Sequence, residues 1–217
     1  MRLSVIIVTF ERVVDLRAAL DSVVQQKTLP DEVIVVDQSE SPGTKNLLEE
    51  FSTAHSSRGL RFIYTHQSEK SIVKARNTGL GLCTGEIISF LDDDVTLFED
   101  YYKKVLHCFC ADPGLGGLSG QIVNLERFQG WKWRLRKILS RLFLINNFDG
   151  KMTPSGFGYA IFDRPLTTPT EVELIHGCDM NFRAAAIKDK KFDEWFSGYS
   201  YRKMPIFPLG YPGISSY

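Results

Sequence analysis

Three consecutive aspartates, Asp92, Asp93 and Asp94, close the apolar run Ile87-Ile88-Ser89-Phe90-Leu91. Like charges this close repel one another, and no packing requirement calls for them. A hard divalent cation does, because Mg2+ or Mn2+ takes carboxylate oxygen and commonly shares its shell with substrate phosphates. The same triplet also suits a solvated acidic turn ahead of a helix, so the chemistry depends on what surrounds it. Asp37 closes a second apolar run, Val33-Ile34-Val35-Val36. There it can accept a hydrogen bond from the N–H of a base, or cap a turn. Arg76 suits phosphate oxygens as a partner, and equally suits the solvated face of a helix. Asn77 beside it can bind a ligand or cap locally. His176 fits either a phosphate or acceptor contact or a structural, half-buried place.

These residues need elements to hold them. Residues 3–9 and 33–36 are near-continuous apolar runs, as in strands buried on both faces. Between them Leu16, Ala19, Leu20, Val23 and Val24 recur at helical spacing, and Pro30-Asp31 ends that helix. Helices over 44–55, 71–82 and 99–110, with strands over 60–64 and 87–91, complete a β-α-β-α-β-α-β-α order. That order predicts an α/β fold with a mostly parallel sheet and helices on its faces. The triplet then lies at the carboxyl end of a strand, where open α/β sheets bind ligands. Further strands are expected over 116–123 and 172–175, with a loop-rich stretch at 154–169.

Composition narrows the options. The chain has 217 residues, and its 26 basic and 26 acidic side chains cancel. A globally basic nucleic-acid binder is excluded on that ground. Cys83, Cys108, Cys110 and Cys178 have neither C-x-x-C nor zinc-finger spacing and read as reduced thiols, which points to the cytoplasm. The apolar N-terminus contains Ser4 and leads into Glu11-Arg12, so it reads as a first strand, not a signal peptide. No run approaches the roughly 18 apolar residues of a membrane span. Gly79-Leu80-Gly81-Leu82-Cys83-Thr84-Gly85 follows a helix and lacks the G-x-G-x-x-G spacing, so it reads as a helix end and turn.

Four blocks together resemble glycosyltransferase family 2. They are Val5-Ile6-Ile7-Val8-Thr9-Phe10-Glu11-Arg12 and Val35-Val36-Asp37-Gln38-Ser39, then Ala75-Arg76-Asn77-Thr78-Gly79 leading to Gly85 and on to Asp94, and finally His176-Gly177-Cys178-Asp179-Met180-Asn181-Phe182-Arg183. The resemblance covers about residues 3–195. It implies a GT-A fold: a Rossmann-like, mostly parallel central sheet flanked by helices, here with an incomplete acceptor-side region. It implies a catalytic domain over 1–201, with a donor half at 1–100 and an acceptor-side half at 101–201. The implied activity is inverting transfer of a hexosyl-type sugar from a nucleoside diphosphate sugar to a hydroxyl acceptor, in polysaccharide or glycolipid assembly. Asp94 is then the metal ligand for Mg2+ or Mn2+. Thr9, Phe10, Arg12, Asp37, Arg76, Asn77, Asp92 and Asp93 are the implied donor-nucleotide contacts, with Asp37 on the base and Asp92 near the ribose. The acceptor would be a saccharide or a lipid-linked one. A nucleotidyltransferase is the weaker reading, since Thr9-Phe10-Glu11-Arg12 is not its glycine-rich phosphate loop.

Residues 127–147 differ from the rest. Arg127, Lys132, Arg134, Arg136, Lys137 and Arg141 occur with no acid, while Trp131, Leu135, Ile138 and Leu142 fall on one helical face. This segment suits the anionic cytoplasmic face of a membrane, or an acceptor stacked on Trp131 or Trp133. It also suits an ordinary amphipathic helix with its apolar face on the domain and its charges in water.

The last segment, residues 202–217, is an aberrant tail. The family's acidic pair, whose aspartate serves as general base, is expected after Lys191-Phe192-Asp193-Glu194 and does not occur. Instead the chain runs Arg202-Lys203-Met204-Pro205-Ile206-Phe207-Pro208-Leu209-Gly210. Codon degeneracy allows this stretch, read from the last base of the Arg202 codon, to encode Glu-Asp-Ala-Asp-Phe-Ser-Phe-Arg-Val-Ser-Arg-Asp. The alanine is forced by Met204 before proline. Loss of one base near codon 202 is therefore the expectation, and with it either an impaired enzyme or a nucleotide-binding remnant.

Overall fold

The computed structural model describes residues 1–124, 130–161, 164, 166–187 and 189–195, and the backbone of Ile214–Ser216. The tail otherwise lies outside the described residues, as does Arg127. Two compact units form: Met1–Pro113 with Gly177–Leu209, and Gly114–His176 with Gly210–Tyr217.

The first unit is built on the apolar runs. Strands β1 (Leu3–Thr9), β2 (Glu32–Asp37), β3 (Arg61–His66) and β4 (Ile87–Asp92) alternate with helices α1 (Val13–Val24), α2 (Gly43–Ala54) and α3 (Ile72–Leu82). They are followed by α4 (Tyr101–Ala111) and, later in the chain, β7 (Asp179–Arg183) and the short α6 (Ala184–Ile187). The strand order is β3-β2-β1-β4-β7. The first four strands are parallel and β7 joins β4 antiparallel. Val5, Ile7, Val33, Val35 and Ile87 are wholly buried, as their two-sided cover by helices requires. Each such side chain contributes roughly 1.5–3 kcal/mol relative to exposure.

Helix α3 lies against β1, and Gly79 makes that closeness possible. A Cβ at Gly79 would sit 2.4 Å from Ile6 Cγ2. The Ser71 hydroxyl caps α3 by accepting from Lys74 N–H. Helix α1 offers Leu16, Ala19, Leu20, Val23 and Val24 to the core, the face expected from their spacing.

The second unit holds β5 (Gly117–Ser119), α5 (Trp131–Leu142), β6 (Thr170–Glu171) and the backbone of β8 (Ile214–Ser216). There β8 pairs parallel with β5 and antiparallel with β6. The strand expected over 116–123 shrinks to β5. The strand expected over 172–175 is not formed, and only Thr170–Glu171 is extended in a ladder. The cause is the turn at Gly150, whose φ is +75°. Its carbonyl accepts from the N–H groups of both Glu173 and Leu174 and removes them from strand pairing. Val172 and Ile161 pack where a side chain at Gly150 would otherwise lie.

Candidate active site

Parallel register brings the candidate residues to one sheet edge. Thr9 is paired with Asp37, and Val8 with Asp92. The carboxyl ends of β2, β1 and β4 therefore stand side by side. The order β2-β1-β4 also reverses the direction of winding here, which opens a crevice at such edges.

The three aspartates separate by role. Asp93 is buried, 5 % exposed. Its Oδ2 accepts from Thr9 Oγ1 at 2.8 Å, and its Oδ1 from Arg12 Nη1 at 3.0 Å. Burial pushes its carboxyl up to about 6, against the opposing Thr9 bond and Arg12 charge and with help from Asp94 and Asp92. Asp92 and Asp94, two positions apart, keep side chains 36 % and 48 % exposed. Burial also raises the Asp92 carboxyl; the Arg76 charge opposes this and Asp94 adds to it.

Two arginines hold these carboxylates. Arg12 reaches Asp94 Oδ2 with Nη2 at 3.0 Å and Asp15 with Nε at 3.0 Å, in addition to Asp93. Arg76 is 6 % exposed, so it is not on a solvated helix face. Its Nη2 donates to Asp92 Oδ1 at 3.1 Å and to the Gly177 carbonyl at 3.0 Å. The Asp92 N–H in turn donates to the Cys178 carbonyl at 2.9 Å. The start of β7 is thus joined to the acidic end of β4.

Asp37 is fully buried, and its oxygens accept from Ser39 N–H at 2.9 Å and Tyr64 Oη at 3.1 Å. Burial, then Asp37, pushes the Tyr64 phenol up to about 12. Phe10 faces the Lys70 ammonium, 4.7 Å from the ring centre. Asn77 is engaged inside the protein. Its amide donates to the Phe192 carbonyl and to Glu194, and its oxygen accepts from Phe192 N–H. His176 belongs to the second unit, where its Nε2 lies 2.9 Å from the Ile161 carbonyl.

Sequence reasoning missed two features here. Glu11 has φ +53°, a left-handed conformation that costs a non-glycine residue about 1 kcal/mol or more. It is held there by Ser39 Oγ, which accepts the Glu11 N–H, and by Glu40 N–H and Ser41, which donate to the Glu11 carboxylate. This turn sets the direction of Phe10 and Arg12. The second feature is a buried polar cluster behind β4. Tyr101 Oη donates to Asp179 Oδ2, and Asn181 Nδ2 donates to Tyr101 Oη at 2.8 Å and Asp179 Oδ1 at 3.0 Å. Aromatic Tyr101 with alternating Asp179 and Asn181 was the available signal.

Among the described residues no group of three His, Cys, Asp or Glu is placed to hold a metal ion. The half-exposed pair Asp92 and Asp94 still offers oxygen donors alone. That set fits a hard cation completing its shell with phosphate and water, and does not fit a closed protein cage.

A mostly parallel central sheet flanked by helices, with carboxylates at its switch point, is an α/β fold of the GT-A type. The description Glycosyl transferase family 2 matches residues 4–167, and the chain belongs to that family. GlyA, a glycosyltransferase of Streptococcus pneumoniae, is 31 % identical over 105 residues, 46 % of this chain and 14 % of its own. The GalNAc(5)-diNAcBac-PP-undecaprenol beta-1,3-glucosyltransferase of Campylobacter jejuni is 31 % identical over 204 residues, 88 % of this chain and 61 % of its own. The chain thus spans less than two thirds of the length of either relative. Among solved structures, the mannosyltransferase PcManGT of Pyrobaculum calidifontis, in complex with GDP-Man and Mn2+, has a TM-score of 0.56 at 19 % identity, covering 86 % of this chain and 46 % of that one. That likeness is one of fold.

Proposed function

We propose that the protein transfers a sugar from a nucleoside diphosphate sugar to a hydroxyl acceptor, with inversion at the anomeric carbon. The observation that carries this is the alignment of Asp37, Thr9 and the Asp92–Asp94 triplet along one edge, with Arg12 and Arg76 among them. The nucleobase would lie at the end of β2 beside Asp37, whose buried oxygens are held by Ser39 N–H and Tyr64 Oη in this structure, and the Phe10–Arg12 turn lies against the nucleotide. Asp92 lies near the ribose, while Asp93 holds Thr9 and Arg12 in place. Asp94 holds a divalent cation, Mg2+ or Mn2+, which supplies charge neutralisation for the departing diphosphate. PcManGT, which shares the fold, was solved with Mn2+ and GDP-Man.

In the reaction the acceptor oxygen bonds to the anomeric carbon as the carbon–oxygen bond to the diphosphate breaks. The electron pair leaves on the diphosphate, and the acceptor proton passes to a carboxylate base. Such a step needs positioning and charge stabilisation more than covalent catalysis. The base is expected in the Glu-Asp pair of the alternative frame beyond Arg202. In this reading the donor-site residues precede Arg202 and the base follows it. We assign that base to none of Asp179, Asp193 or Glu194. Asp179 is bonded to Tyr101 and Asn181, Asp193 accepts from Trp195 N–H, and Glu194 accepts from Asn77. The Campylobacter relative's name places its acceptor on undecaprenol diphosphate, and a lipid-linked saccharide acceptor at the cytoplasmic face is our reading for this chain too.

The test is release of nucleoside diphosphate from a panel of sugar nucleotides, with saccharide and lipid-linked acceptors, in the written and the frame-restored chains. The restored chain is expected to turn over, and the written chain to be slower by about 10² to 10⁴. No release by a folded, frame-restored chain with any donor contradicts the proposal.

A further inference from the structure

Helix α5 turns its apolar residues outward. Trp131, Leu135, Ile138, Leu139 and Leu142 recur at i, i+4, i+7, i+8 and i+11, one stripe of a helix. All are exposed, Trp131 by 70 %, Ile138 by 62 % and Leu142 by 72 %. The half-buried residues are Trp133, Lys137 and Ser140, at i, i+4 and i+7 on the other side. Trp133 packs edge-on to Phe148 at 5.5 Å between ring centres, and the Lys137 ammonium lies over both rings. The helix is thus attached through its aromatic and cationic side. A helix on a water-facing surface does the reverse. The exposed apolar stripe continues past the helix end into Phe143, Leu144 and Ile145.

The charges around the stripe are of one sign. Lys132, Arg134, Arg136 and Arg141 are exposed along its flanks, and no Asp or Glu occurs from Gly130 to Phe148. We infer that α5 docks on the surface of an anionic lipid bilayer, with its aliphatic stripe at the acyl boundary and its cations against headgroup phosphates. An outward apolar face bordered by Lys and Arg, with a Trp at one end, is the chemistry of a helix lying in a membrane interface. Twelve residues reach about 18 Å, short of the roughly 30 Å of a bilayer core, so the helix lies on the membrane and does not cross it. A second copy of the chain brought to the same face would set these cations against themselves, which opposes pairing. The inference stands on unit two alone and does not depend on the transfer chemistry.

Flotation of the full chain with vesicles tests it, using phosphatidylcholine alone and phosphatidylcholine mixed with phosphatidylglycerol, at low and high salt. The chain is expected to float with the anionic vesicles, and less at high salt. Arg134→Gln and Arg141→Gln should each weaken recovery about five-fold. Leu135→Gln with Ile138→Gln and Leu142→Gln should abolish it, with an unchanged circular dichroism spectrum and melting point, since all three side chains are exposed. No preference for anionic vesicles, or equal flotation of the triple variant, overturns the inference. So does a dimer in sedimentation velocity that the triple variant dissolves, if the chain does not float.

Discussion

Asp93 and Asp94 are adjacent in sequence and share Arg12, yet they differ in burial. Asp94 faces solvent with an arginine at one oxygen; Asp93 is buried and spends both oxygens on Thr9 and Arg12. This difference has a consequence for pH. The Asp93 carboxyl is raised from an ordinary 3.8 to about 6, so the folded chain holds that proton longer than the unfolded one. Its contribution to stability is complete below about pH 4 and is lost as pH rises through about 6. Urea unfolding of wild type and Asp93→Asn across this range should show that slope in the wild type and its absence in the variant. From the sequence, the triplet's type and spacing suggest metal chemistry and equally a solvated acidic turn, and the metal role stays our proposal. Which aspartate turns inward was not, because that depends on Thr9 and Arg12, which lie 84 and 81 positions away. Arg76 was equally open: helical spacing alone does not say that it is buried between Asp92 and Gly177.

Strands and helices of the first unit follow from pattern, since apolar runs covered on both faces fit few alternatives. Strand β7 escaped that reading because Asp179 and Asn181 are polar and nevertheless buried, satisfied by Tyr101. Helix α5 was legible as an amphipathic helix, but periodicity identifies a face without saying which way it turns. Close approach between elements leads to two contrasting expectations within α3. Gly79→Ala drives a methyl into Ile6 and should lower stability by about 1–3 kcal/mol. Gly81→Ala meets nothing within 4 Å and should raise it by roughly 0.5–1 kcal/mol, by relieving glycine's entropy cost. Urea midpoints of the two variants check both signs. Glu32 supplies a pH dependence opposite to that of Asp93. It is buried at the start of β2; burial raises its carboxyl, and bonds from Ser4, Arg61 and Thr84 more than reverse this. Its contribution is therefore present above about pH 4.5 and lost as pH falls through its lower folded value. Glu32→Gln should flatten the acid limb of the stability profile.

At the scale of the molecule, the chain is a member of glycosyl transferase family 2 whose site residues from β1 to β4 converge on one edge of a parallel sheet. No described helix is long and apolar enough to cross a membrane, and α5 is the element that faces one in our account. On the acceptor side, no Glu-Asp pair follows Glu194 in the sequence, and residues 196–213 lie outside the described ones. The residues of the proposed donor site all precede that tail in the chain, and nucleotide binding tests the proposal most directly. The measurement is calorimetric titration of UDP and GDP into the written chain, with and without Mn2+ or Mg2+, repeated on Asp94→Asn. The account predicts binding of a nucleoside diphosphate that requires the cation and weakens about ten-fold or more in the variant. Binding that ignores the cation, equal affinity in Asp94→Asn, or no binding by the folded chain contradicts it.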